Sequence, residues 1–435
     1  MSNRNDELLE RIDKRSARVA IVGLGYVGLP VAVEFAEAGF DVIGIDLDDI
    51  KVAALNRGVS YLREVPDERV SALRDSGRFR ATSAFADAAE ADAILICVPT
   101  PISQGTPDLT LVVAASASVS QVLKSGSLVV LESTTYPGST DELVKPLLEK
   151  GGKKGGQDFL LAFSPERIDP GNEVWSFGDI PKIVGGIDEA STRAAAALYG
   201  QVVPKVVTVS GTREAELAKL IENTFRHVNI ALVNELAVYA HEMGIDIWEA
   251  IDAAATKPFG FMPFYPGPGW GGHCIPLDPA YLSWRVRRDR AHEVRFVEVA
   301  QAVNSEMPRF VTERISLLLN DQRKSVRGAK VLAIGVAYKP GVQDTREAGA
   351  LKVIERLIKR GAEVIYHDPL VAEVEIDNAT VSSVALTPEV VAEQDVVVIL
   401  VAQHNVDWEF LASETALVLD CCNALQRKSA TIHRL

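Results

Sequence analysis

The feature that most constrains the fold is a glycine-rich turn near the start of the chain. Residues 23–28 read Gly-Leu-Gly-Tyr-Val-Gly, between an apolar run at 19–22 and a helix-forming stretch at 29–38. A second apolar run, 41–46, ends on Asp46. A GxGxxG turn alone is a weak signal. Set between a strand and a helix, with an acid closing the next strand, it indicates a dinucleotide-binding Rossmann unit.

This turn predicts how the dinucleotide is held. Gly23 permits the tight turn, Gly25 lets the backbone approach a pyrophosphate, and Gly28 lets the helix pack on the sheet. The diphosphate is expected at the helix N-terminus, where free N–H groups favour anions. The Asp46 carboxylate would bind the adenosine ribose hydroxyls and repel a 2′-phosphate, which predicts NAD rather than NADP. The alternative is a glycine-rich turn with a solvated aspartate.

Alternation of strands and helices predicts an α/β fold with two Rossmann-like, doubly wound units. Further strands are predicted at 93–98, 128–131 and 159–163, and they imply a parallel sheet covered on both faces. From 212 to about 244 the pattern is that of one long helix. Residues 258–272, rich in glycine, proline and aromatics, predict a structured loop or a linker.

The alternation returns from about residue 327, with strands predicted at 330–335 and 361–368. The turn of this second unit, 336–340, lacks the glycine pattern, so we expect it to bind something other than a second dinucleotide. The predicted domains are an NAD-binding Rossmann domain at 1–207, a central helical segment at 208–315, and a second Rossmann-like domain at 316–435.

Charge and composition exclude several classes of protein. The formal net charge of −14 disfavours nucleic acid and anionic membranes as partners. Uninterrupted apolar runs stay well short of the roughly 18 residues that a membrane span needs, and the polar N-terminus does not resemble a signal peptide. Four cysteines without a CxxC motif or a Cys/His cluster argue against disulfides and against a metal site. A reducing cytoplasm is therefore expected.

Cys274 is the candidate nucleophile. It follows Gly271, Gly272 and His273, and the two glycines would allow close approach by a substrate. The remaining cysteines occupy apolar strand ends, which indicates packing. The alternative for Cys274 is a buried, inert thiol, because reactivity requires a lowered pKa or a nearby cation.

Lys219, Asn223 and Arg226 share roughly one face of the long predicted helix. A cation and an amide on one face can stabilise a developing oxyanion. An ordinary solvated face is the alternative.

Polar segments follow two predicted strands at their carboxyl ends, where open α/β sheets bind ligands. The segment after the first of these strands contains Thr134, and the segment after the second contains Glu166 and Arg167. Capping and turn chemistry are the alternative for both segments. In the second unit, Lys339 and Arg346 would place two cations at a helix N-terminus, a predicted diphosphate site. Here the alternative is a solvated turn.

Several segments together resemble the UDP-glucose/GDP-mannose dehydrogenase family, and they occur in the family's order. They are GLGYVGLP, ESTTYPG, FSPERIDPGN, AELAKLIENTFRHVNIALVNELA, GPGWGGHCIPLDP and AYKPGVQDTRE. Ordered matches that span most of the chain are far more specific than any single motif.

The resemblance implies an NAD-binding Rossmann domain, a central helical dimerisation segment and a C-terminal UDP-binding domain. It also implies an active site between the Rossmann units and a homodimer or higher oligomer. Family members oxidise C6 of a nucleotide sugar in two hydride transfers. Carried onto this chain, Cys274 attacks the aldehyde-level intermediate to give a thiohemiacetal. A second hydride transfer then gives a thioester, and water releases the acid.

The resemblance also implies residue roles. Lys219 and Asn223 would stabilise the oxyanion, and Asp278 would orient Lys219 or a water molecule. Glu166 and Thr134 would position the hydrolytic water and handle protons. The other expected cofactor contacts are Tyr26, Val27, Lys51, Thr100, Thr134 and Arg346. The other expected substrate contacts are Glu166, Arg167, Lys219, Asn223, Arg226, Phe264, Tyr265, Gly271, His273 and Lys339.

The substrate is predicted from residues around the candidate nucleophile. Leu277 stands where UDP-glucose members carry a lysine, and Glu132 also departs from a lysine common in those members. The run with His273 most resembles bacterial UDP-N-acetylglucosamine 6-dehydrogenases. UDP-N-acetylglucosamine is therefore expected, with UDP-glucose and UDP-N-acetylmannosamine as alternatives. The sequence leaves the configuration at C2 and C4 of the sugar open.

Two alternative functions are compatible with much of this predicted fold. A simple alcohol dehydrogenase or 2-hydroxy-acid reductase would need no cysteine and would use one NAD per turnover. A non-catalytic nucleotide-sugar-binding protein would need no catalytic residues, whereas the chain carries Cys274, Lys219, Asn223 and Asp278.

Overall fold

The computed structural model describes residues 2–62, 64–103, 106–169, 171–172, 174–175, 177–272, 274–426 and 429–435. The chain divides into two compact units. Unit 1 comprises Met1–Glu222 and Trp284–Arg290, and unit 2 comprises Asn223–Ser283 and Ala291–Leu435. The division into three domains given above remains a prediction.

Strands and helices alternate through unit 1. The strands are β1 (Arg18–Val22), β2 (Asp41–Ile45), β3 (Phe79–Thr82), β4 (Ala93–Ile96), β5 (Ile102–Ser103), β6 (Thr106–Pro107), β7 (Leu128–Leu131), β8 (Leu160–Phe163), β9 (Lys182–Gly186) and β10 (Val206–Thr208). The α-helices are α1 (Ser2–Asp13), α2 (Gly28–Glu37), α3 (Asp49–Asn56), α4 (Asp67–Asp75), α5 (Thr110–Val122), α6 (Lys145–Glu149) and α7 (Glu189–Tyr199). Short stretches of other helix types occupy Phe85–Glu90, Thr140–Val144 and Phe177–Asp179.

The main sheet of unit 1 has eight strands within the described residues, in the order β10-β9-β8-β7-β4-β1-β2-β3. The predicted α/β fold is confirmed, and its strands are near-continuous apolar runs because both faces of the sheet are covered. In β1, Val19 and Ile21 pack into one core cluster, whereas Ala20 and Val22 pack into another. Successive side chains point to opposite faces, so both layers of the core need apolar residues.

The sheet departs from the predicted parallel arrangement at its β8–β9 pair, so that β9 and its parallel neighbour β10 run opposite to the other strands. β9 runs antiparallel to β8, with Ala162 opposite Gly186. A parallel neighbour needs a long crossover, usually through a helix. In the described part of the 164–181 connection, the structure has one short helical turn, Phe177–Asp179, instead. As a result β9 begins at the edge where β8, β7 and β4 end.

Two helices, α8 (Thr212–Glu242) and α10 (Cys274–Arg290), contribute residues to both units. The other helices of unit 2 are α9 (Ile247–Ala255), α11 (Arg295–Asp321), α12 (Gly349–Lys359), α13 (Pro388–Ala392) and α14 (Trp408–Glu414). The strands are β11 (Lys330–Ile334), β12 (Glu363–His367), β13 (Glu373–Ile376), β14 (Ala379–Ser382), β15 (Val396–Ile399), β16 (Val418–Asp420) and β17 (Ile432–Arg434).

Unit 2 carries the second Rossmann-like sheet. Its five strands within the described residues are ordered β12-β11-β15-β16-β17, all pairs parallel. α8 agrees with the predicted long helix, and Gly244, with φ of +68°, follows its end as a left-handed C-terminal residue. Residues 258–272, all of them described, carry neither helix nor strand, as predicted. None of the described helices combines the length and apolar character of a membrane span.

A buried carboxylate on α8 fixes the loop that follows β7. The Glu216 oxygens accept hydrogen bonds from the backbone N–H groups of Gly138 and Thr140, at 2.5 and 2.9 Å. They also accept from the hydroxyls of Ser139 and Thr140, at 2.8 and 2.7 Å. Burial raises the pKa of Glu216, and these hydrogen bonds oppose that shift.

Replacing Glu216 by Ala should destabilise unit 1, because four buried donors lose their acceptor. An unpaired buried donor costs about 1–3 kcal/mol, so we expect a total loss of about 3 kcal/mol or more. Glu216→Gln, which keeps one acceptor oxygen, should lose less. Urea unfolding followed by circular dichroism measures the difference. The control is the nearby exposed Glu214, whose Ala variant should unfold like the parent. Equal stability of Glu216→Ala and Glu214→Ala would contradict the prediction.

Candidate active site

The glycine-rich turn has the geometry that a dinucleotide site requires. Gly23 has φ of +92°, and a Cβ at Gly28 would lie 1.8 Å from the carbonyl oxygen of Gly23. Both positions therefore need glycine. A Cβ at Gly25 would meet no atom within 4 Å, so this residue faces open space at the start of α2. A pyrophosphate can approach the backbone there, and the turn fits a dinucleotide. Tyr26, beside it, is exposed.

Asp46 lies just past β2 with its carboxylate oriented by the backbone. One oxygen accepts the N–H of Leu24 at 2.8 Å and the other accepts the N–H of Asp48 at 3.0 Å. The side chain is half-buried, so its remaining lone pairs can reach a ribose. Tyr61 donates to the Leu24 carbonyl, and burial, followed by the charge of Asp46, raises the pKa of this phenol. Lys51 lies 5.6 Å from the Tyr61 ring centroid.

The second Rossmann-like unit also has an aspartate after its second strand, but the surroundings of this aspartate differ from those of Asp46. Asp368, which follows β12, is buried. Its carboxylate accepts N–H groups of Val336, Leu370 and Val371 and lies 3.2 Å from the Gln403 side-chain amide. A carboxylate with its oxygens occupied by its own turn has little capacity left for ribose hydroxyls. This geometry supports the expectation that the second unit binds something other than a dinucleotide.

Predicted residues of unit 1 gather along one edge of the sheet. The glycine-rich turn follows β1, Thr100 follows β4, Thr134 follows β7 and Glu166 follows β8. These four strands are neighbours in the sheet and run parallel. The carboxyl ends of parallel strands meet at one edge, which is the ligand edge of such sheets.

Glu166 lies in a charged cluster that the sequence analysis missed. The Lys182 ammonium at the start of β9 lies 2.8 Å from Glu132 Oε2 and 3.4 Å from Glu166 Oε2. Tyr199 donates its hydroxyl proton to Glu132 Oε1 at 2.5 Å. All four side chains are buried. The available signal was Lys182 itself, a cation directly before the apolar strand residues Ile183 and Val184.

The other polar candidates of unit 1 differ in whether their side chains already have hydrogen-bond or ion-pair partners within the protein. The Arg167 guanidinium pairs with Glu222 at 2.7 Å and donates to the Pro181 carbonyl at 2.6 Å. Lys219 is buried on α8, and its ammonium has no hydrogen-bond or ion-pair partner among the described residues. A buried ammonium with unused donors is suited to an incoming anionic group.

In unit 2 the structure pairs two predicted residues. Asn223 on α8 donates its side-chain amide to the buried carboxylate of Asp278 on α10. The structure shows Asp278 accepting the Asn223 amide, and the expected orienting of Lys219 or a water molecule by Asp278 stays a prediction. α10 begins at Cys274, one helical turn before Asp278. His273 and the side chain of Cys274 lie outside the part of the chain that the structure describes.

Gly271 and Gly272 pack against the turn of the second Rossmann-like sheet. A Cβ at Gly271 would lie 2.6 Å from the Tyr338 side chain, and one at Gly272 would lie 2.8 Å from the Tyr338 ring. The Gly272 N–H donates to the Arg346 carbonyl at 2.8 Å. The sequence suggested that these glycines make room for a substrate, and the structure gives them a packing role as well.

The aromatic and basic candidates of unit 2 have identifiable contacts. Phe264 packs against Phe225, and Tyr265 stacks on Trp248 and donates to Asp252. The remaining candidates are basic: Arg226 is exposed, the half-buried Lys339 lies 5.7 Å from the Tyr338 ring centroid, and Arg346 pairs with Asp344 at 2.6 Å. The sequence expectation for each of these residues as a ligand contact remains a prediction.

Comparison with known proteins covers nearly the whole chain. The three domain models of the UDP-glucose/GDP-mannose dehydrogenase family match in order: the NAD-binding domain at 17–203, the central domain at 213–306 and the UDP-binding domain at 332–427. The chain belongs to this family. It is an NAD-dependent oxidoreductase of the UDP-sugar dehydrogenase type, as the sequence resemblance predicted, and its cofactor is NAD.

Individual relatives act on different sugars. The chain is 36% identical to a UDP-N-acetyl-D-mannosamine dehydrogenase of Pyrococcus horikoshii, over 81% of this chain and 84% of the relative. It is also 36% identical to a UDP-N-acetyl-D-glucosamine 6-dehydrogenase of Pseudomonas aeruginosa, over 82% of this chain and 84% of that enzyme. A solved UDP-D-ManNAc dehydrogenase structure from P. horikoshii superimposes with a TM-score of 0.87 at 33% identity, covering 96% of this chain and 98% of that one.

The Asp46 carboxylate should enforce a preference for NAD over NADP, because it opposes a 2′-phosphate. We expect at least a tenfold ratio in kcat/KM, about 1.4 kcal/mol. Asp46→Asn, which keeps an acceptor for the turn but removes the charge, should reduce that ratio several-fold. Initial rates with both cofactors measure it. Asp41→Asn, at the exposed start of the same strand, should leave the ratio unchanged. Equal use of NAD and NADP by the parent enzyme would refute this assignment.

Proposed function

We propose that this dehydrogenase oxidises the C6 primary alcohol of UDP-N-acetylglucosamine to the carboxylate, using two NAD⁺ per turnover and Cys274 as a covalent nucleophile. The observation that carries the proposal is the Asn223–Asp278 hydrogen bond one helical turn beyond Cys274. The hydrogen bond joins a half-buried amide to a buried carboxylate and fixes both side chains, as a preorganised catalytic site requires.

The proposed chemistry balances in four steps. NAD⁺, when bound, accepts one hydride from C6 in each of the two oxidations. The first oxidation converts the alcohol to the aldehyde and releases a proton. The Cys274 thiolate adds to the aldehyde carbon, which gives a thiohemiacetal once the oxygen gains a proton. Loss of the second hydride and of that proton gives a thioester, and attack by water releases the carboxylic acid and the thiol.

The candidate residues receive the following roles in these steps. The Lys219 ammonium and the Asn223 amide stabilise the negative oxygen that develops at C6, because both are hydrogen-bond donors. Asp278 orients Asn223 through their hydrogen bond. Glu166 removes a proton from the hydrolytic water, and Thr134 helps to position that water. The buried, unpartnered state of Lys219 among the described residues supports its assignment.

The UDP moiety is proposed to bind in the second Rossmann-like unit. This region matches the family's UDP-binding domain, and its turn carries Lys339. The saturated carboxylate of Asp368 disfavours a second dinucleotide there and leaves the turn for a different nucleotide ligand. Lys339 supplies the positive charge for the diphosphate.

UDP-N-acetylglucosamine is proposed as the sugar on the basis of His273 and Leu277, which differ from the pattern of UDP-glucose members. The Pseudomonas aeruginosa relative, named for this substrate, supports it. The second candidate is UDP-N-acetylmannosamine, which the Pyrococcus horikoshii relative and its solved structure favour. The two candidates share the acetamido group and differ in configuration at C2.

We further propose a homodimer or higher oligomer. The unit 2 part of α8 exposes Leu232, Leu236 and Tyr239, which recur every three or four residues, and the exposed Met243 follows the end of the helix. Such spacing places them on one side of the helix, and an exposed apolar stripe of this kind favours association with another chain.

Cys274→Ala should abolish formation of the sugar acid, because the thioester route is lost with the nucleophile. The parent enzyme should yield two NADH per UDP-sugar, whereas the variant should yield no acid by mass spectrometry while still binding NAD and UDP-sugar by calorimetry. Cys422→Ala, the half-buried cysteine of the same unit, is the matched control and should keep the parent stoichiometry. Steady acid production by Cys274→Ala would show that the thiol is structural.

Among UDP-sugars, UDP-N-acetylglucosamine should have the highest kcat/KM. A pocket built for the acetamido group leaves a polar partner unpaired and a methyl-sized space unfilled when UDP-glucose binds, which costs about 2–4 kcal/mol. UDP-glucose should therefore react at least tenfold less efficiently. The measurement is NADH formation from UDP-N-acetylglucosamine, UDP-N-acetylmannosamine, UDP-N-acetylgalactosamine and UDP-glucose under identical conditions. A preference for the mannosamine substrate would select the second candidate. A preference for UDP-glucose would reject both.

A further inference from the structure

The buried charges of unit 1 come together because of the sheet topology. We define the carboxylate–lysine cluster as Glu132, Glu166, Lys182 and Tyr199. Glu132 and Glu166 follow the parallel strands β7 and β8, and Lys182 opens the antiparallel strand β9 at the same edge. Tyr199 reaches the cluster from the end of α7.

Glu132 has donors on both carboxylate oxygens. Lys182 donates to Oε2 and Tyr199 donates to Oε1. Burial raises the pKa of Glu132, and the Lys182 charge opposes that shift. The pKa of Tyr199 is raised well above its ordinary value, first by burial and then by Glu132, so the phenol keeps the proton that it donates.

Lys182 is a cation shared between two carboxylates. Burial alone would lower the pKa of Lys182, but Glu132 and Glu166 outweigh burial and the pKa is raised. Its ammonium also lies 5.3 Å from the Phe177 ring centroid and 5.1 Å from the Tyr199 ring centroid. Aromatic faces at these distances favour a positive charge, so the lysine is held charged in the cluster.

Glu166 is held from two sides. Its Oε1 accepts the backbone N–H groups of Arg167 and Ile168, at 2.6 and 2.5 Å. Its Oε2 faces the Lys182 ammonium at 3.4 Å. The nearby Cys97 thiol is neutral, because burial and then Glu132 raise its pKa well above the ordinary value. Lys182 is therefore the cation of the cluster that faces Glu166.

We propose that Lys182 is a positioning residue for acid formation: shared between Glu132 and Glu166, its ammonium holds the Glu166 carboxylate in place at the end of β8 and favours the charged form of that carboxylate. This inference rests on the proposed role of Glu166 as the base for the hydrolytic water. Stability alone gives little reason to bury such a group, because buried ion pairs are often no more stabilising than apolar residues of similar size.

The charges of the cluster before and after the hydrolytic step explain why one cation is shared between two carboxylates. Before the step the cluster holds two carboxylates and one ammonium. Water attacks the thioester carbon, and its proton passes to Glu166, which becomes neutral. Lys182 then remains paired with Glu132 at 2.8 Å, so the cluster is neutral after the transfer. When Glu166 releases the proton to solvent, the original charges return.

Two variants test the proposal because they should shift the ionisation of Glu166 in opposite directions. In Glu132→Gln, Lys182 has one carboxylate left to neutralise, so Glu166 should stay ionised to lower pH. In the double variant Glu132→Gln/Lys182→Met, Glu166 loses its cation without leaving Glu132 as an unpaired buried charge. Loss of a cation within about 4 Å should move protonation upward by about one pH unit or more. Lys182→Arg, which keeps the charge, should remain close to the parent enzyme.

The first readout is the ¹³C-carboxyl NMR titration of Glu166 in enzyme labelled at glutamate, with the signal assigned by its loss in Glu166→Gln. We expect the titration midpoint to move down in Glu132→Gln and up in the double variant. A midpoint that does not move, or that moves in the same direction in both variants, overturns the proposal. A purely structural role for Lys182 would change stability without these opposite shifts.

The second readout is the pH dependence of kcat for acid formation, with KM for the UDP-sugar measured alongside. The acidic limb should follow the NMR midpoints, and KM should stay within about threefold of the parent because Lys182 acts through Glu166. Opposite NMR shifts together with an unchanged rate profile uphold the control of Glu166 by Lys182. The same outcome would show that Glu166 is not the base for the hydrolytic water, and it therefore rejects that part of the proposed function.

Discussion

The pairing of buried charges at the carboxyl edge of the first sheet is the constraint on which the arrangement of residues at this edge depends. Burying a charge without a partner is costly, and the Lys182 ammonium offsets that cost for Glu132 and Glu166 at once. The antiparallel direction of β9 makes this possible, since it starts at the edge where β7 and β8 end. A parallel β9 would begin at the opposite edge.

The two Rossmann-like sheets show how one topology serves two ligands. Both begin with a strand, a turn and a helix, and both place an aspartate after the second strand. Asp46 is half-buried and keeps acceptor capacity, whereas Asp368 is buried and satisfies its own turn. The distinction lies in how many backbone N–H groups each carboxylate must accept. The same fold can therefore hold a dinucleotide in one unit and a different nucleotide in the other.

In unit 2, the helix that begins at the candidate nucleophile follows a tightly packed segment of the chain. Gly271 and Gly272 allow the chain to approach Tyr338 closely, and α10 then begins at Cys274. Asp278, one turn later, receives the Asn223 amide from α8. Helix-borne groups fixed by packing and hydrogen bonds hold a geometry more rigidly than loop residues do, which suits the proposed catalytic role of these residues.

The sequence by itself determined the α/β fold, the NAD turn with Asp46 and the family, because these depend on local patterns: apolar runs, glycine spacing and ordered motifs. It also placed Thr134 and Glu166 at strand ends. Only the tertiary structure decided the partners of these residues. Lys182 meets Glu132 across 50 positions, Tyr199 meets it across 67, and Asn223 meets Asp278 across 55. Such pairs depend on strand direction and helix packing, which no local periodicity encodes.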